Sequence, residues 1–77
     1  MMTGYNERIL ALLEPEIGHS LAVSVIRTKC GDLGIQPGFI TADMLPALAD
    51  ELYEPLRIFR GEKFAQVMTD RIRALAP

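Results

Sequence analysis

His19, Ser20 and Cys30 are the side chains with which this chain could do nucleophilic or metal chemistry, and there is one histidine and one cysteine in all. A Cys-His nucleophile pair, or a metal shared by the two, needs nitrogen and sulfur within a few ångströms of each other. Both residues fall on one predicted helix, eleven positions apart. At 1.5 Å per residue that is about 16 Å, too far for them to cooperate within one chain. On a helical wheel His19 lies near Val23, Ile26 and Cys30, which reads as a structural or partly exposed histidine. A lone cysteine forms no intramolecular disulfide, and no Cys/His cluster has the spacing of a structural zinc site.

The carboxylates give no acid/base pair. Glu14 and Glu16 flank Pro15 and point in different directions, whereas Asp43, Asp50, Glu51 and Glu54 form the solvated face of a predicted third helix. Paired catalytic carboxylates need a shared pocket. Gly31 and Gly34 follow a helix instead of a strand, and no Gly-Lys-Ser/Thr element accompanies them, so a phosphate-binding loop is not expected. The chain therefore reads as non-catalytic, with no catalytic residue, no metal and no bound cofactor.

The elements that place these residues are helical, and the expected fold is all-α, a compact four-helix bundle or orthogonal helical array over one domain, residues 1–77. Thr3 or Asn6 can cap a first helix, about 4–14, whose Tyr5, Ile9, Leu12 and Leu13 share one face. Pro15 should end it and open the second, about 15–31, making a corner there. Ile17, Leu21, Ala22, Val23, Val25, Ile26 and Cys30 leave that helix apolar most of the way round, which predicts a central, surrounded helix. Gly18 inside it implies a close backbone crossing or is a weak spot near the helix start. Gly31 or Gly34 should close it.

The one clear loop, G-I-Q-P-G-F-I-T, carries Ile35, Phe39 and Ile40, which should tuck over the end of the bundle or meet a partner. Thr41 is the expected cap of a third helix, 42–60, with Leu45, Leu48, Ala49, Leu52, Tyr53, Leu56 and Phe59 in one stripe. Pro46 is either tolerated or splits off a one-turn piece, and Pro55 should kink the helix without stopping it. Gly61 ends it, and a fourth helix, 62–75, carries Phe64, Met68, Ile72 and Leu75 in a stripe supported by Ala65 and Val67. No internal repeat is visible.

Within this frame, G-H-S-L at Gly18–Leu21 resembles the phosphopantetheine attachment motif of peptidyl carrier proteins, commonly G-G-H-S-L. Leu33-Gly34-Ile35 resembles the hydrophobic-Gly-hydrophobic element that follows their second helix. The resemblance implies a carrier-like domain in which Ser20, at the start of helix two, receives the cofactor arm. With helix two starting at Pro15, Ser20 falls a turn inside it.

The net charge of −2 gives no field that gathers nucleic acid, and a helix-turn-helix reading would put the acidic third helix against phosphates. Charge is unevenly placed: residues 1–40 sum to −1, 41–54 to −4 and 55–77 to +3. The last two segments should attract each other, within one chain or between two. No run approaches the roughly 18 apolar residues of a membrane span, and no signal peptide is recognisable, so a cytoplasmic protein is expected. At 77 residues a single core is near its lower size limit, which favours help from a partner chain. The expected function is a protein-protein interaction or regulatory module able to self-associate, through a surface including Phe39, Ile40, Arg57, Arg60, Lys63, Arg71 and Arg73.

Overall fold

In the third and fourth helices most of the apolar stripe is the folded core: Leu45, Leu48, Ala49, Leu52, Leu56, Met68 and Ile72 are buried, while Tyr53, Phe64 and Leu75 are half-buried and Phe59 is exposed. A computed structural model describes residues 4–77. It comprises α1 (Tyr5–Ile17), α2 (His19–Asp32), two 3₁₀ turns (Pro37–Phe39 and Ala42–Met44), α3 (Leu45–Arg60) and α4 (Glu62–Arg73), with no strand among the described residues. The fold is all-α. The pairs α1–α2 and α3–α4 pack most extensively, and α2–α3 and α1–α4 contacts close the four helices into a ring. One contiguous core fills it, led by Ile9, Leu13, Ile26, Leu45, Leu48, Leu52, Leu56 and Ile72. No described helix is long and apolar enough to cross a membrane.

The first corner lies at Gly18, not at Pro15. Pro15 sits within the last turn of α1, where its missing N–H removes the bond to the Ala11 carbonyl. Ala11 is exposed, so water can satisfy that carbonyl and the helix runs on. Gly18 adopts φ 87° and ψ 160°, a region essentially closed to other residues. Its N–H donates to Glu14 O, and its own carbonyl accepts from Ala22 N–H, so one residue ends α1 and begins α2. Nothing lies within 4 Å of where a Cβ would stand, so Gly18 is required by its dihedrals and not by a backbone crossing. Capping also differs at α1: Gly4 holds the N-cap position, Asn6 lies inside the helix, and Thr3 lies outside the described residues.

Gly61 repeats this corner with φ 96° and ψ 170°, donating to Arg57 O and accepting from Ala65 N–H. Measured from each corner glycine, five pairs of buried positions match, Ile9 with Leu52, Leu13 with Leu56, Ala22 with Ala65, Val25 with Met68 and Ile26 with Thr69, whereas buried Cys30 falls on exposed Arg73 and buried Ile72 on half-buried Lys29. The chain is thus two helix-glycine-helix halves in the same register, a repeat that the sequence conceals. Of the paired positions from Tyr5 to Cys30, only Leu13/Leu56, Gly18/Gly61 and Ala22/Ala65 are identical.

α3, not α2, is the helix most deeply built into the core, with Leu45, Leu48, Ala49, Leu52 and Leu56 all buried. α2 buries only Ala22, Val25, Ile26 and Cys30, leaving Val23 half-buried and Leu21 exposed. A ring of four short helices covers each helix on its inner side alone, so the apolar breadth of α2 is not matched by neighbours. Its C-terminus closes at Gly34 (φ 71°), with Ile35 N–H donating to Cys30 O and Gly34 N–H to Gly31 O, the double bond pattern of a Schellman cap. Gly31 remains helical.

α3 continues through Pro55 to Arg60, and Pro46 sits at its N-terminus with a separate 3₁₀ turn before it. Thr41 precedes that turn, but its hydroxyl donates to the Asp43 carboxylate and caps no backbone N–H. The loop divides as its side chains dictate. Ile40 is buried and Ile35 half-buried, which tucks both over the core, while Phe39 remains exposed.

Candidate functional site

Because α2 begins at His19, Ser20 is its second residue and stands exposed at the helix start, not a turn inside it. Beside it, His19 Nδ1 lies 2.8 Å from Glu14 Oε2, with both side chains largely solvated. This carboxylate-imidazole pair spans the Gly18 corner. Glu14 lies in the last turn of α1 and His19 opens α2, so the turn at Gly18 is what brings the two side chains together. The Glu14 carboxylate can only accept, so Nδ1 carries the proton of this contact.

His19, Ser20, Val23, Ser24, Arg27 and Thr28 line a depression of about 390 Å³ along α2. All six come from one helix, so it has no opposing wall and forms an open face. A second, smaller recess of about 60 Å³ lies between α1, α2 and Pro37. Among the described residues no three His, Cys, Asp or Glu side chains are grouped to hold a metal ion.

Cys30 is fully buried, and burial raises its thiol above the ordinary value. The thiolate is the nucleophilic form, so Cys30 is chemically quiet in the folded protein. An Ellman's titration should find no fast-reacting thiol in the native state and one after denaturation in guanidinium. Rapid stoichiometric reaction of the native protein would show that Cys30 is not enclosed as described.

The basic residues expected to form a partner surface are divided by their in-chain partners. Arg57 donates to both Glu54 oxygens, from Nε at 3.1 Å and Nη2 at 2.9 Å. These bonds, more than the charge alone, hold the Glu54 carboxyl below its ordinary value. Arg73 bridges helices by donating to Asp50 on α3 and also reaches Asp70 at 3.4 Å. That contact is the attraction between the acidic third and basic fourth helices, realised within one chain. Arg60 donates to Glu16 O at 3.0 Å, and its guanidinium carbon lies 4.9 Å from the Phe64 ring centroid. Lys63 and Arg71 are exposed on α4. Ile40, at 8% exposure, belongs to the core and is withdrawn from the surface set.

No family model, curated protein or solved structure matches the chain.

The apolar side chains left outside the core are Leu21 (39% exposed), Phe39 (71%), Ile58 (69%), Phe59 (39%) and Val67 (41%). Ile58 is the residue that sequence reasoning missed. It lies off the Leu45–Leu56 stripe of α3, and an apolar residue on the polar side of a strongly amphipathic helix was the available signal. Leu21 and Phe59 were placed in the core by helical phase, but each stands at a helix end where no neighbour covers it. Three of the five, Leu21, Ile58 and Phe59, lie within three residues of Gly18 or Gly61.

Proposed function

We propose that this protein is a small non-catalytic module that works by binding protein. The observation that supports this reading is the concentration of exposed apolar side chains beside the two corner glycines, on a molecule whose buried polar side chains are satisfied among the described residues. An apolar patch left outside a closed core marks a surface where water is removed by association. Aromatic and branched aliphatic residues of this kind form the centres of such interfaces.

Photo-cross-linking in the native cell tests the reading. A benzophenone amino acid placed at Ile58 or Phe59 should yield discrete protein adducts, while one placed at exposed Glu7 on α1 should not. An absence of adducts from Ile58, Phe59 and Leu21 alike would remove the proposal.

A second reading draws support from the position of Ser20, exposed at the very start of α2 as an attachment serine must be. In it the chain is a carrier-like domain bearing a phosphopantetheine arm on Ser20. Incubation with coenzyme A and a promiscuous phosphopantetheinyl transferase, followed by mass spectrometry, decides it. A mass increase abolished by Ser20→Ala establishes this reading over the first, and an unchanged mass rejects it.

A further inference from the structure

The first and last helices of the chain are held unequally. α4 buries Ala65, Met68, Thr69 and Ile72, packs on α3 more extensively than any other two elements pack, and is tied to it by the Arg73–Asp50 bond. α1 buries only Ile9 and Leu13. Set in register with α3 about the corner glycines, it holds half-buried Tyr5 and Asn6 where α3 buries Leu48 and Ala49. The recess of about 60 Å³ lies beside Asn6 and Leu10, against Val23, Ile26 and Pro37, so α1 packs incompletely on its neighbours there.

α1 joins the rest of the described chain only at Gly18, and glycine has the widest backbone freedom of any residue. No atom stands within 4 Å of where a Cβ would be at that corner, so a change of its dihedrals meets no neighbour. The polar contacts of α1 with other helices, Glu14 with His19 and Glu16 with Arg60, lie at this same end and hold the pivot. The far end, toward Tyr5, rests on half-buried side chains. The cost of freeing an element grows with the apolar surface it buries, which makes α1 the helix that costs least to lift.

We propose that α1 is a lid. It lifts as a unit from α2, α4 and the Pro37–Phe39 turn, pivoting at Gly18, while α2, α3 and α4 stay folded. The open form presents to solvent the apolar face that those helices otherwise turn toward Ile9 and Leu13. This goes beyond the protein-binding reading, which concerns side chains already exposed when the lid is shut.

Native-state hydrogen exchange of the full chain, followed by NMR at low guanidinium concentrations, tests the lid. A free helix of 13 residues is too short to persist in water, so the amides of α1 exchange whenever it lifts. Residues 9–13 should exchange together, be about tenfold or more less protected than residues 49–53 of α3, and depend less steeply on guanidinium, because lifting exposes less surface than unfolding. Gly61→Ala, which strains the other corner, should lower the protection of residues 49–53 about fivefold or more and leave residues 9–13 within about twofold of wild type. One level of protection and one guanidinium dependence shared by all four helices overturns the lid, as does α4 proving the least protected. A gradient along α1 with no guanidinium dependence is fraying of single residues and also overturns it. So do α1 amides that lose protection in step with α3 in the Gly61 variant.

Discussion

Replacing Leu52 by alanine should lower the free energy of unfolding by about 3 kcal/mol, within the range for burying a cavity in place of a core leucine. Leu52 is fully buried at the middle of α3, the helix that packs against both α2 and α4. Its counterpart in the first half, Ile9, is equally enclosed, so the two halves meet in one tightly filled interior. A chain of this size has a total stability of roughly 4–12 kcal/mol, and a loss of that magnitude leaves it marginal or unfolded at body temperature. Urea denaturation followed by circular dichroism measures the change, provided the transition is two-state. The control is on the same helix: Ile58→Ala should stay within about 0.5 kcal/mol of wild type, because Ile58 is exposed. Equal effects at the two positions would mean that α3 does not bury the face described.

Gly61→Ala and Gly18→Ala should each destabilise by about 1–3 kcal/mol, and Gly31→Ala should be neutral or stabilising by up to about 1 kcal/mol. The comparison isolates one cause. At all three glycines nothing stands within 4 Å of an added Cβ, so steric crowding is the same and negligible. What differs is the backbone. Gly18 and Gly61 hold positive φ with extended ψ, where a side chain is strained, whereas Gly31 lies in the last turns of α2. In Gly31 the glycine only adds entropy to the unfolded chain, and alanine reduces it. Chemical denaturation of the three variants gives the ordering, and a Gly31 variant less stable than the Gly18 and Gly61 variants would reverse the assignment of the corners.

Local rules read parts of this molecule well. The stripe from Leu45 to Leu56 and the glycine between α3 and α4 were visible because each depends on residues three or four apart or on a glycine at a helix end, and the tuck of Ile40 and Ile35, though not of Phe39, followed from the apolar content of the loop. The first corner was misread for a reason of magnitude. The preference of a pre-proline residue against helix is a local cost, and Pro15 gives up one hydrogen bond whose acceptor, on exposed Ala11, water can serve. Carrying α1 to Ile17 places Leu13 and Ala22 in the same register around Gly18 as Leu56 and Ala65 around Gly61. From that displacement of three residues followed the wrong depth for Ser20 and the unnecessary crossing at Gly18.

The candidate surface was legible only in part. Phe39 on the loop and the cations of the C-terminal third were visible as types, but their partners were not: Arg60 with Glu16, and Arg73 with Asp50, join residues 44 and 23 positions apart. No periodicity encodes such pairs, since each arises where two helices happen to run past each other.

By itself the sequence determined that the chain is helical, how many α-helices it forms, that the Leu45–Leu56 stripe of α3 and Met68 and Ile72 of α4 turn inward, and that His19 and Cys30 stand far apart along one helix. These follow from spacing along one helix, which backbone hydrogen bonding sets locally. Only the tertiary structure decided that α3 and not α2 is the innermost helix, that the halves repeat about Gly18 and Gly61, and that Leu21, Ile58 and Phe59 are left uncovered beside them. Those outcomes depend on how much surface the neighbouring helices can cover. Four short helices in a ring cover only their inner faces, so apolar residues at the helix ends stay in water until something else covers them.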